Sequence, residues 1–172
     1  MKIWPYQFRG VIHSLIAVVG LAGCAPKKQI QVYTIPAEPT PPESWDLASS
    51  FGPEKARFSI KDANGTASVT MTVLQGDGGG LLENMNRWRG QLGLEKLEEK
   101  NLAEAMEQLK GLGKEARMID ISGISQRTQD ETRLIGVIDP GNELTWFYKL
   151  MGSASVVEES KGEFLEYLPH WR

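Results

Sequence analysis

The sequence predicts an α+β fold: a mostly antiparallel sheet of about five strands covered by helices on both faces, an α/β/α sandwich. Three observations predict it. Residues 66–73 alternate between Thr or Ser and Ala, Val or Met, the period of a half-buried strand. Leu81, Met85, Trp88 and Leu92 recur at helical spacing. Two late runs, 134–138 and 144–148, are rich in apolar residues at both odd and even positions, so each needs cover on both faces.

The elements follow in order. Residues 56–60 form a short strand, and Asn64-Gly65 is a hairpin turn leading into the alternating strand. Gly76-Asp77-Gly78-Gly79-Gly80 breaks that strand before the first helix. A second helix is predicted from Leu102, Ala105, Met106 and Leu109, with Asn101 and Glu104 as its capping box and Gly111 and Gly113 beyond its end. A meander comes next, over 116–122, 133–139 and 144–151, with Asp139-Pro140-Gly141-Asn142 as a tight turn. Ser155 and Glu158 cap a final helix, Val157, Phe164 and Leu168 line one stripe of it, and Pro169 ends it. The order is ββααβββα.

Composition limits the function classes. The chain has 172 residues, a formal charge of −3, one Cys and two His. One Cys excludes an internal disulfide and a multi-cysteine zinc site. A mildly acidic chain lacks the overall charge for general nucleic-acid binding, so no nucleic-acid partner is expected. The organisation reads as a leader over 1–23, a tether over 24–44 and one globular domain over 45–172. In the leader, Lys2 and Arg9 precede an apolar stretch too short to span a bilayer comfortably. The tether holds five prolines and no apolar period, which favours an extended spacer reaching about 60 Å. Its residues 31–35 could instead add an edge strand.

Leu21-Ala22-Gly23-Cys24 resembles the lipobox of bacterial lipoproteins. That resemblance implies cleavage before Cys24, a diacylglyceryl thioether on its sulfur, palmitate-type acylation and a cell-membrane or outer-membrane location facing the periplasm or exterior. Ala25, in place of an aspartate after the cysteine, favours the outer membrane in a two-membrane cell by the same resemblance. An uncleaved N-terminal anchor with a chance cysteine is the other reading. Cleavage removes Lys2 and Arg9 and leaves the mature protein more acidic than −3, with His170 as its single histidine.

The element order resembles the PsbP-like fold. The segments Gly78-Gly79-Gly80, Asn86-Arg87-Trp88-Arg89 and Trp146-Phe147-Tyr148-Lys149-Leu150 are similar to those of uncharacterised bacterial envelope lipoproteins. By analogy alone, such proteins are often non-enzymatic accessory or assembly factors.

Few side chains suggest chemistry. Gly78, Gly79 and Gly80 precede a helix, where backbone N–H groups can hold an anion, or they simply allow a sharp turn. No Lys-Ser/Thr follows, so the loop is not a Walker loop. Asn84 and Arg87 share a helix face, and Arg87 or Arg89 could fork a carboxylate of a partner or of the domain itself. These six residues are the candidate ligand or partner patch. Trp146 and Tyr148 share one strand face, as core or as an aromatic groove, with Phe147 and Lys149 opposite. His170 has no oriented partner in view, and the acidic run from Glu95 to Glu107 reads as a solvated face. No catalytic residue, metal or cofactor is expected. The expected function is that of a membrane-anchored envelope protein that binds or helps assemble a protein partner. The alternative is a small-anion or glycan binding module built on the glycine loop and the arginines.

Overall fold

The computed structural model describes residues 40–171; the leader, Cys24 and most of the tether lie outside the described residues. Strands β1 (Asp46–Ala48), β2 (Glu54–Asp62) and β3 (Gly65–Gln75) lead to helix α1 (Leu81–Gln91) and the single turn α2 (Glu99–Leu102). Then come β4 (Glu107–Gln108), β5 (Arg117–Ile124), β6 (Glu131–Pro140), β7 (Leu144–Gly152) and helix α3 (Ala154–Tyr167), which runs into a 3₁₀ turn over Leu168–Trp171. The seven strands make one sheet in the order β1-β2-β3-β7-β6-β5-β4, every neighbouring pair antiparallel.

This corrects the expected fold class. The chain is mostly β, with one seven-stranded antiparallel sheet and three short helices among the described residues. It is not a five-stranded sheet sandwiched by helices, and the PsbP-like architecture inferred from that sandwich falls with it. Two local facts explain the misreading. The added edge strands β1 and β4 are three and two residues long, too short to show a period of two. The second helix does not extend over 102–109. Glu107 and Gln108 instead pair with Met118 and Arg117, and the Leu109 N–H donates to the Ala116 carbonyl at 3.2 Å. A helix of that length is marginal without packing, whereas the β5 edge offers ready backbone partners. Leu102 and Met106 still reach the apolar interior, from a mostly irregular backbone.

The hairpin and the meander form where the turn residues place them. Asp62 pairs with Gly65 around Asn64, whose N–H is held by the Asp62 carboxylate at 2.6 Å, and Gly65 takes a φ of 142°. Between β6 and β7 the Gly141 N–H donates to the Leu144 carbonyl at 2.9 Å. Helix α3 begins one residue before Ser155. Its N-cap is Ser153, whose hydroxyl accepts from the Thr66 N–H at 3.3 Å rather than capping the helix.

Alternation gives the sheet two unlike faces. On the first, Phe58, Val69, Met71, Ile135, Val137, Tyr148 and Leu150 meet Val156, Val157 and Phe164 of α3, followed by Leu168. Trp45 and Tyr167 close one end, their rings edge to face with centroids 5.2 Å apart. On the second face, Ile119, Leu134, Ile138 and Phe147 meet Met85, Trp88 and Leu92 from α1. Gly136 is required here: a Cβ at that position would come within 2.2 Å of the Trp88 ring. Helix α1 packs chiefly on β5 and β6, and the second face of β2 and β3 stays polar.

Candidate functional site

The uncovered part of the second face forms a polar groove. Register sets its floor. Arg57 of β2 lies opposite Thr70 of β3, which lies opposite Lys149 of β7. The next row is Ser59, Ser68 and Met151. These residues point away from α3 because their neighbours Phe58, Val69 and Leu150 point toward it. Gln91 at the end of α1 and Arg127 in the β5–β6 loop form the walls. A hollow of about 480 Å³ is lined by Lys149 with Arg57, Thr70, Gln91 and Arg127, and one of about 370 Å³ extends it toward Lys61 and Glu131. A third, of about 240 Å³, continues past Lys149 to Arg87 and Phe51.

The charges in this groove differ in how they are engaged. The Arg57 guanidinium donates through Nε to Glu54 at 3.0 Å and through Nη2 at 2.5 Å, a two-point pair. Burial raises the Glu54 pKa, but the hydrogen bonds from Arg57 and from the Phe51 N–H, with the Arg57 charge, bring it below the ordinary 4.5. Lys149 has a different setting. Its ammonium donates to the Gln91 side-chain carbonyl at 3.2 Å, and no carboxylate among the described residues lies within ion-pair distance. Burial lowers its pKa, and the charges of Arg57 and Arg127 add to that effect against the opposing pull of Glu54.

The residues singled out from sequence lie around this groove and beyond it. The glycine loop closes on itself. Gly78, Gly79 and Gly80 have φ of 62°, 94° and 81°, values that a side chain rarely adopts. The N–H groups of Gly76, Gly78, Gly79 and Gly80 donate to Glu143, Gln75, the Asp77 carboxylate and the Asp77 carbonyl respectively. Asn84 is buried and donates to the carbonyls of Gly78 and Gly80 at 3.1 and 2.6 Å, tying the helix start to the loop. A side chain at Gly78 would meet the Phe147 ring at 2.5 Å, so the loop lies tight on the sheet.

The two arginines diverge. Arg87 is exposed and lines the groove end beside Asn84. The Arg89 Nε donates to the Glu95 carbonyl at 2.7 Å, away from Arg87. Between them, Asn86 accepts from the Leu97 N–H at 2.7 Å and donates to the Leu97 carbonyl at 3.1 Å. This short motif thus mostly holds the 93–98 loop to α1, and two of its four side chains, Arg87 and Trp88, line the groove end. Trp146 and Tyr148 stack on the first face with centroids 6.1 Å apart, and Tyr148 is fully buried. His170 is exposed in the 3₁₀ turn, and the acidic residues from Glu95 to Glu107 are all exposed.

Sequence reasoning did not assemble Arg57, Arg127 and Lys149, which are distant along the chain. The available signal was Lys149 itself, a cation inside the apolar run 144–151. Among the described residues, no three His, Cys, Asp or Glu side chains converge to hold a metal ion, and no helix is long and apolar enough to cross a membrane. No protein-family model matches the chain, and no curated protein matches it.

Proposed function

We propose that this chain is an envelope lipoprotein, anchored through Cys24, whose domain is a non-catalytic binding or assembly factor for a protein partner. The groove over β2, β3 and β7 is its binding surface. One observation carries this reading: half of a sheet face is left without helix cover, and it is floored by hydroxyls and lined by Lys149 and Arg127, which have no carboxylate partner among the described residues. Nucleophilic or acid–base catalysis calls for a side chain held against an oriented partner. The groove presents cations and hydroxyls suited to contact rather than such a pair. The anion module built on the glycine loop has less support, because that loop uses its own N–H groups internally.

Two measurements test the reading. A palmitate analogue fed to expressing cells should label the protein, and Cys24→Ala should abolish both label and membrane fractionation; retained labelling would refute the anchor. Full-length protein used as bait on solubilised membranes should recover a partner that Arg127→Glu loses and Arg89→Ala keeps. Equal recovery by both variants would remove the groove as the binding surface.

A further inference from the structure

Resting on that binding reading, we propose that the groove holds an extended acidic peptide segment of the partner, with Lys149 pairing with one of its carboxylates and Arg127 and Arg87 engaging others on either side. The charge pattern selects this occupant. Arg57 is already neutralised by Glu54 at two points. Lys149, in the same row of the sheet, is half-buried and has the Gln91 amide oxygen as its one hydrogen-bond partner among the described residues. A cation held that way is costly alone and favourable once a carboxylate reaches it. Of the acids that also line the groove, Asp130 and Glu131 sit in the hollow toward Lys61, and Glu54, in the hollow shared by Lys149 and Arg87, is already engaged by Arg57 at two points.

Spacing argues for an extended ligand. Arg127 walls one side of the central hollow, and Arg87 stands in the next hollow past Lys149. Donors that converge would suit a single small anion; donors spread along a trough suit several negative charges in a line. From β2 to β7 the floor spans two strand spacings, about 10 Å, which an extended peptide crosses in about three residues. Ser59, Ser68 and Thr70 supply a hydroxyl floor for peptide groups. A glycan site is usually faced by an aromatic ring, and the hollow beside Lys149 and Arg127 has none; at the groove end the exposed Phe51 ring lies under Arg57, and Trp88 and Phe147 belong to the second core.

The test is fluorescence anisotropy of a labelled hexaglutamate peptide, capped at both ends, with the full-length protein in detergent micelles. Unlabelled inorganic phosphate and oligogalacturonate serve as competitors. Binding should occur and weaken with added salt. Lys149→Met should weaken it about tenfold or more, and Lys149→Arg should largely retain it. Arg127→Glu, at an exposed position of the β5–β6 loop, gives a second variant and should also weaken it; Arg89→Ala should not. Absence of peptide binding, unchanged affinity in Lys149→Met, or stronger competition from phosphate or oligogalacturonate than from unlabelled peptide would overturn the proposal. If the peptide fails while Arg127→Glu still loses the membrane partner, the ligand chemistry is wrong and the surface stands. If both fail, the binding reading falls as well.

Discussion

Strand β7 presents Tyr148 and Leu150 to the first face of the sheet, and Phe147, Lys149 and Met151 to the second. Under α3, the apolar side chains of β2, β3, β7 and β6 all find cover, and the aromatic rings of Trp45, Phe58 and Tyr167 close the end. Under α1, the apolar cover ends near Phe147, and the remaining strands carry Arg57, Ser59, Ser68 and Thr70. One face therefore serves stability along its length, while the other divides between a core and a surface. The dividing line follows the reach of an eleven-residue helix.

The largest expected effect tests the closed face. Phe164→Ala removes a fully buried ring beneath α3 and should cost about 3–5 kcal/mol, read as a lowered urea midpoint. A loss below about 1 kcal/mol would mean that this face is not packed as described. Gly136→Val tests the covered half of the second face. It places a branched side chain where Trp88 lies and should cost about 1–3 kcal/mol or more, with a changed near-ultraviolet signal from the displaced indole. If Gly136→Val leaves stability and signal unchanged, α1 does not press on β6.

A smaller effect concerns the ion cluster beside α3. Asp120 accepts from Arg133 at two points, 2.8 Å each, and from Lys161 at 2.8 Å, while Arg133 also pairs with Glu158. The Arg133 hydrogen bonds hold the Asp120 carboxyl below its ordinary 3.8, against the opposing effect of burial. A carboxyl depressed by folding stabilises at pH above its unfolded value, and that contribution is lost as pH falls through the folded value. Asp120→Asn should therefore lower stability at pH 7 by about 1 kcal/mol, since solvent screens part of the cluster. The gap from wild type should narrow below pH 4. A gap that stays constant down to pH 2 would show that the charge is not the cause.

The smallest effect belongs to the open half. Ser59→Ala, on the groove floor, should change stability by less than about 0.5 kcal/mol. A loss above 1 kcal/mol would show that this surface is part of the packing and not free for a partner.

How much of this was legible depends on range along the chain. The hairpin at Asn64-Gly65, the alternating strand at 66–73, the helix carrying Met85 and Trp88 and the last three long strands are visible because their patterns are local. The edge pairings of β1 and β4 are not, since two or three residues can pair with a neighbour without any periodic signature. The candidate patch was legible only in part. Helical spacing put Asn84 and Arg87 on one face, and they do line one hollow. The same spacing could not show that Asn84 would be used by the glycine loop or that Arg89 would hold Glu95.

By itself, then, the sequence determined the kinds of most of the long segments, the turns between most of them, the lack of a thiol other than Cys24, and which side chains of each long strand share a face. The tertiary structure alone decided that β7 inserts beside β3, and with it the row Arg57–Thr70–Lys149. The physical reason is that alternation is imposed by backbone geometry within a few residues. Strand order, in contrast, is settled by burial: β6 and β7, apolar on both sides, must take interior places, and β7 completes the sheet by pairing with the free edge of β3.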